Sequence, residues 1–351
     1  MTQTDRTGRP ATGTAVDSQG LPPRRGVIRA GLAAGFAGLL LPVFSACTPE
    51  DRPGTATVAG GEPGGFYLEF ATLLAASLQR HGVTDRATAL TTGGSLDNLG
   101  QLLTGQATFA VALADAAAQK VGADSTSAGG MRALGRVYEN YVHCVVRKGS
   151  GISGLAGLAG RTVAVGEPGS GTSLTTPRLL EAAGLASATV GTVPTAAVGN
   201  SVTVLNLGLN DGIAALQDGS VDALFWSGGV PTAAIADSNS HVPLGFLDLS
   251  ALIPSIRTRY GPYYDRVLIP AGSYEGIPAV WTVGVANLLL CRGDLDDRTV
   301  KKTIELLVGH AEELIPRSSL GVQFLSPESL INTAGLPLHP AAAAAYRELH
   351  G

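Results

Sequence analysis

An α/β fold with mainly parallel strands is what this sequence predicts, and three observations carry that prediction. Short β-prone runs alternate with helical periodicity along the chain. Four glycine-rich segments stand where such runs give way to helices. The composition, 45% hydrophobic and 15% charged over 351 residues, supplies a large core and is too poor in charge for a disordered chain. That length suggests about two domains.

Residues 55–59 (TATVA) form a β-prone run ending in Gly60-Gly61. Helical periodicity follows from about Phe66 to Arg80, with Phe66, Phe70, Leu73, Leu74 and Leu78 at three- and four-residue steps. A second β-like segment, 87–92, enters Gly93-Gly94-Ser95 and leads to a helix from Leu96 to Leu103, stopped by Gly105. FAVALA at 109–114 reads as a buried strand and YVHCVVR at 141–147 as another. RTVAVG at 161–166 leads through a glycine loop into a helix at 173–183, closed by Gly184. DALFW at 222–226 precedes Ser227-Gly228-Gly229 and a helix from Pro231. The apolar stretch 280–291 predicts a strand, and 298–314 an amphipathic helix. No repeat of fixed period is present, which excludes a solenoid.

The N-terminus reads as an address. Arg24-Arg25 precede a Gly- and Ala-diluted apolar stretch, Ala30 to Ala46, whose 17 residues and Pro42 suit a removable export signal better than a membrane helix. Ser45-Ala46 directly before Cys47 resemble a lipoprotein box, which makes Cys47 the expected lipidation site. Residues 1–46 are therefore expected to be a twin-arginine and lipoprotein signal, and 47–54 a tether.

Charge and cysteine content narrow the function. Beyond residue 46 the chain holds 19 basic and 26 acidic residues, a net charge of −7, which argues against nucleic acid as a partner. Three cysteines cannot build a disulfide scaffold, and the six histidines show no metal-ligand spacing, so no metal and no cofactor are expected. His143 and Cys144 are neighbours in a strand and face opposite sides, leaving His143 as a hydrogen-bonded strand histidine. Free buried thiols are the expectation for Cys144 and Cys291. The pairs Asp296-Asp297 and Glu312-Glu313 read as solvated helix faces.

The four glycine loops are GGEPGGFY (60–67), TTGGSLDN (91–98), GEPGSGTS (166–173) and WSGGVP (226–231). In an open α/β sheet, ligands bind beyond the carboxyl ends of the strands, where such loops lie. Glycine lets backbone approach a ligand, and a helix start offers N–H donors and partial positive charge. One such loop reads equally as a capped turn; four at equivalent junctions point to a ligand cleft. GEPGSGTS has P-loop spacing but carries Thr172 where the catalytic lysine belongs, so nucleotide hydrolysis is not expected. The first loop does not fit G-x-G-x-x-G, and no G-x-S-x-G elbow is present. A non-enzymatic role is expected.

GGEPGGFYLEF, TTGGSLDNLGQLLTGQATFAVALAD, RALGRVYENYVHCVVRKGSGI, AVGEPGSGTSLTTPRLLEAAGL, ALQDGSVDALFWSGGVPTAAI, IPAGSYEGI and LHPAAAAAYRELHG together resemble the TAXI family of solute-binding receptors, which serve tripartite ATP-independent periplasmic (TRAP) transporters. The resemblance runs in order from about Thr55 to the C-terminus. It implies a type II periplasmic-binding-protein-like α/β fold, two doubly wound lobes joined by crossing strands with a ligand cleft between them. It also implies a small solute, an amino acid or dicarboxylate, delivered to a membrane-embedded TRAP permease. The expected division is lobe one, 55–147 plus 283–351, and lobe two, 148–282. An exported sensor for a membrane kinase, or an enzyme acting on a small carboxylate, is the alternative.

Position by position, Gly64, Gly65, Phe66 and Tyr67 match the family's first motif, and Leu68 and Glu69 replace its second tyrosine and proline. Gly94, Ser95 and Asn98 match the second motif, and Asp115 the acid after FAVALA. Gly169, Ser170, Gly171 and Thr172 fall in the third loop, and Trp226, Gly228 and Gly229 in the fourth. All are candidate ligand-binding residues. Trp226 reads either as a wall of the cleft or as an ordinary core residue. Ser170 and Thr172 are the candidates to hold an anionic group. Arg147 and Lys148 offer a countercharge or are plain surface charges.

Overall fold

The computed structural model describes residues 54–123, 130–189, 199–317 and 325–350. The export segment and Cys47 lie outside the described residues.

The chain first builds β1 (Thr55–Ala59), α1 (Phe66–Arg80), β2 (Arg86–Leu90), α2 (Ser95–Leu103), β3 (Phe109–Leu113) and α3 (Ala114–Ala123). A long strand follows, β4 (Met131–Arg147). Next come β5 (Thr162–Ala164), α4 (Gly171–Ala182), β6 (Ala186–Thr189), β7 (Ser201–Leu205), α5 (Leu209–Asp218), β8 (Ala223–Gly228) and α6 (Ala233–His241). After β9 (Leu244–Phe246), α7 (Ile253–Tyr260) and β10 (Tyr264–Ile269), a second long strand appears, β11 (Val280–Arg292). It precedes α8 (Asp297–Gly309), α9 (Pro327–Leu330) and α10 (Pro340–His350).

The strands form one sheet in the order β2-β1-β3-β11-β4-β8-β5-β7-β6, with β10 on β11 and β9 on β4. Parallel pairing holds within each half: β1 with β2 and β3, then β5 with β7 and β8, and β6 with β7. The centre differs from the expected parallel sheet, because β4 and β11 run antiparallel to each other and to β3 and β8. The reason is topological. The chain leaves the first half along β4 and returns along β11, so the two must point in opposite directions. Residues 131–141 of β4 pair with β11, and 141–146 pair with β8.

Strand β4 begins ten residues before the 141–147 run that its apolar pattern announces. Arg132, Arg136 and Glu139 interrupt that pattern, yet the strand tolerates them because Arg136 donates to the buried Glu139 carboxylate. The helix expected over 298–314 also differs. It ends at Gly309, and a short 3-10 turn, Ala311–Leu314, follows. Asp296 starts α8 by accepting the N–H of Thr299 at 2.8 Å.

Helix α1 shows how the core forms. Phe70, Leu74 and Leu78 lie on one stripe and are almost fully buried against β1 and β2. Each burial contributes about 1.5–3 kcal/mol before chain entropy is counted. At the helix start, Phe66, Tyr67 and Phe70 surround the ring of Tyr138 on β4, at centroid distances of 4.8, 6.0 and 5.2 Å. Cys144 and Cys291 are free, buried thiols, as expected. No helix among the described residues is long and apolar enough to cross a membrane.

Candidate functional site

A small cavity opens where the loops after β1, β2, β5 and β8 converge. It lies at the carboxyl ends of parallel strands, where an open α/β sheet places its ligands. Gly65, Phe66, Tyr67, Gly94, Ser95, Ser170, Gly171, Thr172, Trp226 and Gly228 line it, all of them candidates from the sequence. Gly61, Glu62, Gly93, Leu113, Asn140 and Ser227 complete the lining.

Glycine is required at two of these positions. Gly94 has φ +117°, and a side chain there would also press on the Cα of Ser170 at 3.4 Å. A Cβ on Gly171 would fall 2.5 Å from Leu113 Cδ1 and 2.8 Å from Ser95 Oγ. Glycine thus lets the second and third loops touch.

Two helices start at the cavity. No side chain caps α1 at Gly65, and Ser170 caps α4 by accepting the N–H of Ser173 at 2.9 Å. Thr172 Oγ1 accepts the N–H of Ser227 at 3.1 Å. Each hydroxyl oxygen therefore accepts a backbone N–H and keeps its proton to donate, the polarity an anion needs. The start of α2 is different. The carbonyl of Gly169 accepts from Leu96 N at 2.8 Å and Asp97 N at 3.2 Å, so those donors are spent between loops.

The floor is a chain of buried hydrogen bonds. Tyr67 donates its phenol proton to Asn287 Oδ1, with Ser95 Oγ 3.3 Å away. Asn287 Nδ2 donates to Asn140 Oδ1 at 2.8 Å, and Asn140 Nδ2 to the carbonyl of Ser227 at 3.0 Å. Loss of hydration raises the Tyr67 pKa, so the phenol stays protonated as a donor. Asn140 and Asn287 sit on the two long central strands and were not among the expected site residues. A lone asparagine inside YENYV and VANLLL is the signal that marks each.

Glu62 was also missed. It lines the cavity, and its Oε2 accepts the N–H of Leu209, at the start of α5, at 2.7 Å. Burial raises its pKa, the Leu209 N–H opposes the rise, and Glu167 and Asp211 add to it. The side of the cavity near Glu62 is acidic. Among the described lining residues there is no lysine or arginine.

Four candidates do not line the cavity. Asn98 is buried behind it, donating to the carbonyls of Gly60 and Val111 and accepting from Thr92, so its amide is consumed in holding the first two loops. Asp115 is fully buried among Thr175, Arg178 and Tyr264, each 3.0 Å from its Oδ2. Gly169 serves α2 as described, and the ring of Phe66 packs over Gly229. Trp226 borders the cavity and also belongs to the hydrophobic cluster of the second half, with its indole N–H on Thr232 Oγ1 at 3.1 Å.

Four further residues lie away from the cavity. Leu68 and Glu69 face a separate surface depression, and Glu69 accepts the N–H of Arg317 at 3.1 Å. Arg147 donates to the carbonyls of Leu216 and Val221 near the end of α5, and is no countercharge for the cavity. Lys148 does not line the cavity either. His143 is the strand histidine expected: its Nδ1–H donates to the Tyr141 carbonyl and its Nε2 accepts the Tyr274 hydroxyl, both at 2.9 Å.

The sequence pattern of the NMT1-like family matches residues 58–349. The chain belongs to the NMT1-like family. Among solved structures, the periplasmic binding protein BugD is similar to this family member at 15% identity and a TM-score of 0.52, over 85% of this chain and 94% of that one. The periplasmic aliphatic sulphonate binding protein SsuA from Escherichia coli is 16% identical with a TM-score of 0.42, over 84% of this chain and 79% of that one. An ancestral arginine-binding protein bound to arginine is 15% identical with a TM-score of 0.45, over 75% and 97%. The likeness to BugD establishes the fold: a type II periplasmic-binding-protein-like architecture of two α/β lobes.

Proposed function

We propose that this chain is an exported receptor that captures a small carboxylate-bearing solute and delivers it to a TRAP-type permease, without catalysing a reaction on it. We divide the body into lobe one, residues 55–147 plus 283–351, and lobe two, 148–282, with the solute held between them. Membership of the NMT1-like family and the fold shared with a periplasmic binding protein support the receptor reading. The order of the sequence motifs supports the TAXI subtype and a permease partner.

One observation carries the choice of ligand: two helix starts, that of α4 with the donor hydroxyls of Ser170 and Thr172, and one carboxylate, Glu62, border the same small cavity. The starts of α1 and α4 suit a carboxylate, because each concentrates N–H donors and partial positive charge. Glu62, with Glu167 and Asp211 behind it, suits an ammonium group. An amino acid satisfies both ends, whereas the second carboxylate of a dicarboxylate would meet like charge. Of the two solute classes, the amino acid is favoured.

Calorimetric titration and thermal shift of purified protein against amino acids and dicarboxylates test the ligand. A ligand that binds the native state raises the melting temperature. Glu62→Gln removes one charged partner of the ammonium, a loss of about 1.5–3 kcal/mol, so amino-acid affinity should fall about ten- to a hundredfold. Dicarboxylate affinity should stay level or rise. Equal losses for both classes would refute the assignment of Glu62.

Lipid anchoring through Cys47 is part of the proposal and rests on Ser45-Ala46-Cys47 after the paired arginines. Cys47→Ser should release the protein from the membrane fraction. Mass spectrometry finding an unmodified Cys47 in membrane-bound wild type would end that part.

A further inference from the structure

Away from the cavity, three potential metal ligands meet at the far end of α1. His81 follows the last residue of α1, His310 follows the last residue of α8, and Glu313 lies on the 3-10 turn after it. The fourteen residues from Tyr67 to His81 place this cluster about 21 Å along the helix from the candidate solute site. The two imidazoles stack with centroids 3.7 Å apart and planes 24° apart. One ligand atom from each residue lies within 4.8 Å of the others.

We propose that His81, His310 and Glu313 bind a divalent transition-metal ion of the zinc type, with water as the remaining ligand. Tetrahedral zinc bonds of about 2.0–2.1 Å place ligand atoms about 3.3–3.4 Å from one another. His81 Nε2 lies 3.1 Å from both carboxylate oxygens of Glu313, and His310 Nδ1 lies 3.8 Å from Glu313 Oε1. The two edges to Glu313 bracket the value a tetrahedral ion requires, and the stacked imidazoles must rotate apart for both ring nitrogens to point at one ion. Two imidazoles and one carboxylate are a donor set that zinc accepts, and three protein ligands leave a position open to solvent. The side chains of His81, His310 and Glu313 are 25%, 41% and 24% exposed, which gives an ion access.

Of the pair Glu312-Glu313, Glu312 is exposed as expected, and Glu313 is corrected in the same step. Glu313 Oε2 accepts from Ser77 Oγ at 2.8 Å and from Arg80 Nη1 at 2.5 Å. Ser77 remains as an outer-shell partner that orients the carboxylate. Arg80 is the competitor: its guanidinium occupies the carboxylate that the ion needs, and at 58% exposure it can swing into water. A bound ion would staple the end of α1 to the end of α8 and the turn that follows it.

Zinc(II) titration of untagged protein, followed by calorimetry, tests the proposal, and cobalt(II) reports geometry through its visible absorption. Zinc should bind with one-to-one stoichiometry and raise the melting temperature. His81→Gln and His310→Gln should each weaken zinc at least about tenfold. Arg80→Gln should tighten it, because the competing cation is gone. That last variant leaves all three ligands in place, so it decides the matter even where a histidine variant misfolds. Failure of wild type to bind zinc, unchanged affinity in the folded double histidine variant, or unchanged or weaker affinity in Arg80→Gln would each overturn the proposal.

Discussion

Asp115→Ala should lower the unfolding free energy by about 3–5 kcal/mol, the cost of breaking a buried charged pair. Its carboxylate is wholly buried and accepts four hydrogen bonds: from Ala116 N at 2.8 Å, and from Thr175 Oγ1, Arg178 Nη1 and the Tyr264 hydroxyl, each at 3.0 Å. Burial raises its pKa, while Arg178 and the hydroxyls pull it back. Removing the carboxylate takes the countercharge from a guanidinium that is only 14% exposed, leaving it the neutral acceptors Gln119 Oε1 and the Tyr264 hydroxyl, and takes the acceptor from two hydroxyls. These partners come from α4 and β10, so the residue ties three elements behind the cavity. Asp115→Asn should cost less, since an amide oxygen still accepts. Urea denaturation measures both. A stable Asp115→Ala protein that has lost only its solute affinity would return this residue to the binding site.

That contrast explains what could be read from residue order alone. The glycine loops are legible because glycine is the residue that survives where the backbone takes a positive φ or meets a close neighbour, as at Gly94 beside Ser170 and at Gly171 against the Leu113 side chain. A polar residue next to such a loop carries no label. Asn98 and Asp115 satisfy the same pattern as Ser95 and Thr172, yet they hold the loops and do not border the cavity. The converse failure is Glu62. It stands inside the first glycine loop, but its setting depends on Leu209, 147 residues away, whose N–H it accepts. Asn140 and Asn287 are separated by the same 147 residues and meet only because β4 and β11 cross the molecule in register. The strands themselves were half legible. Apolar 280–291 announced β11, whereas the first ten residues of β4 hid behind Arg132, Arg136 and Glu139, whose charges are tolerable only once Arg136 and Glu139 have met.

Two buried groups on β4 should tilt the stability profile of this protein in opposite directions in mild acid, and removing either should shift the tilt by about 2–3 kcal/mol. Burial pushes His143 from 6.5 down to about 4, against the pull of its backbone partners, with Tyr274 facing its Nε2. Burial pushes Glu139 from 4.5 up to about 7, opposed by Arg136 and aided by Asp265. The signs are opposite. Between pH 4 and 6.5 the unfolded chain binds the histidine proton and the native chain does not, so His143 makes stability rise with pH. Between pH 4.5 and 7 the native chain holds the Glu139 proton and the unfolded chain does not, so Glu139 makes stability fall with pH. Over the shared window, pH 4.5–6.5, each contributes a slope of about 1.4 kcal/mol per pH unit, and in wild type the two cancel. Glu139→Gln should expose the histidine limb, with stability rising by about 2.7 kcal/mol across that window. His143→Gln should expose the carboxylate limb, with an equal fall. Urea melts of the three proteins at pH 4.5, 5.5 and 6.5 provide the comparison. Parallel profiles for all three would mean that neither group titrates across folding in this range, and the opposed linkage would be wrong.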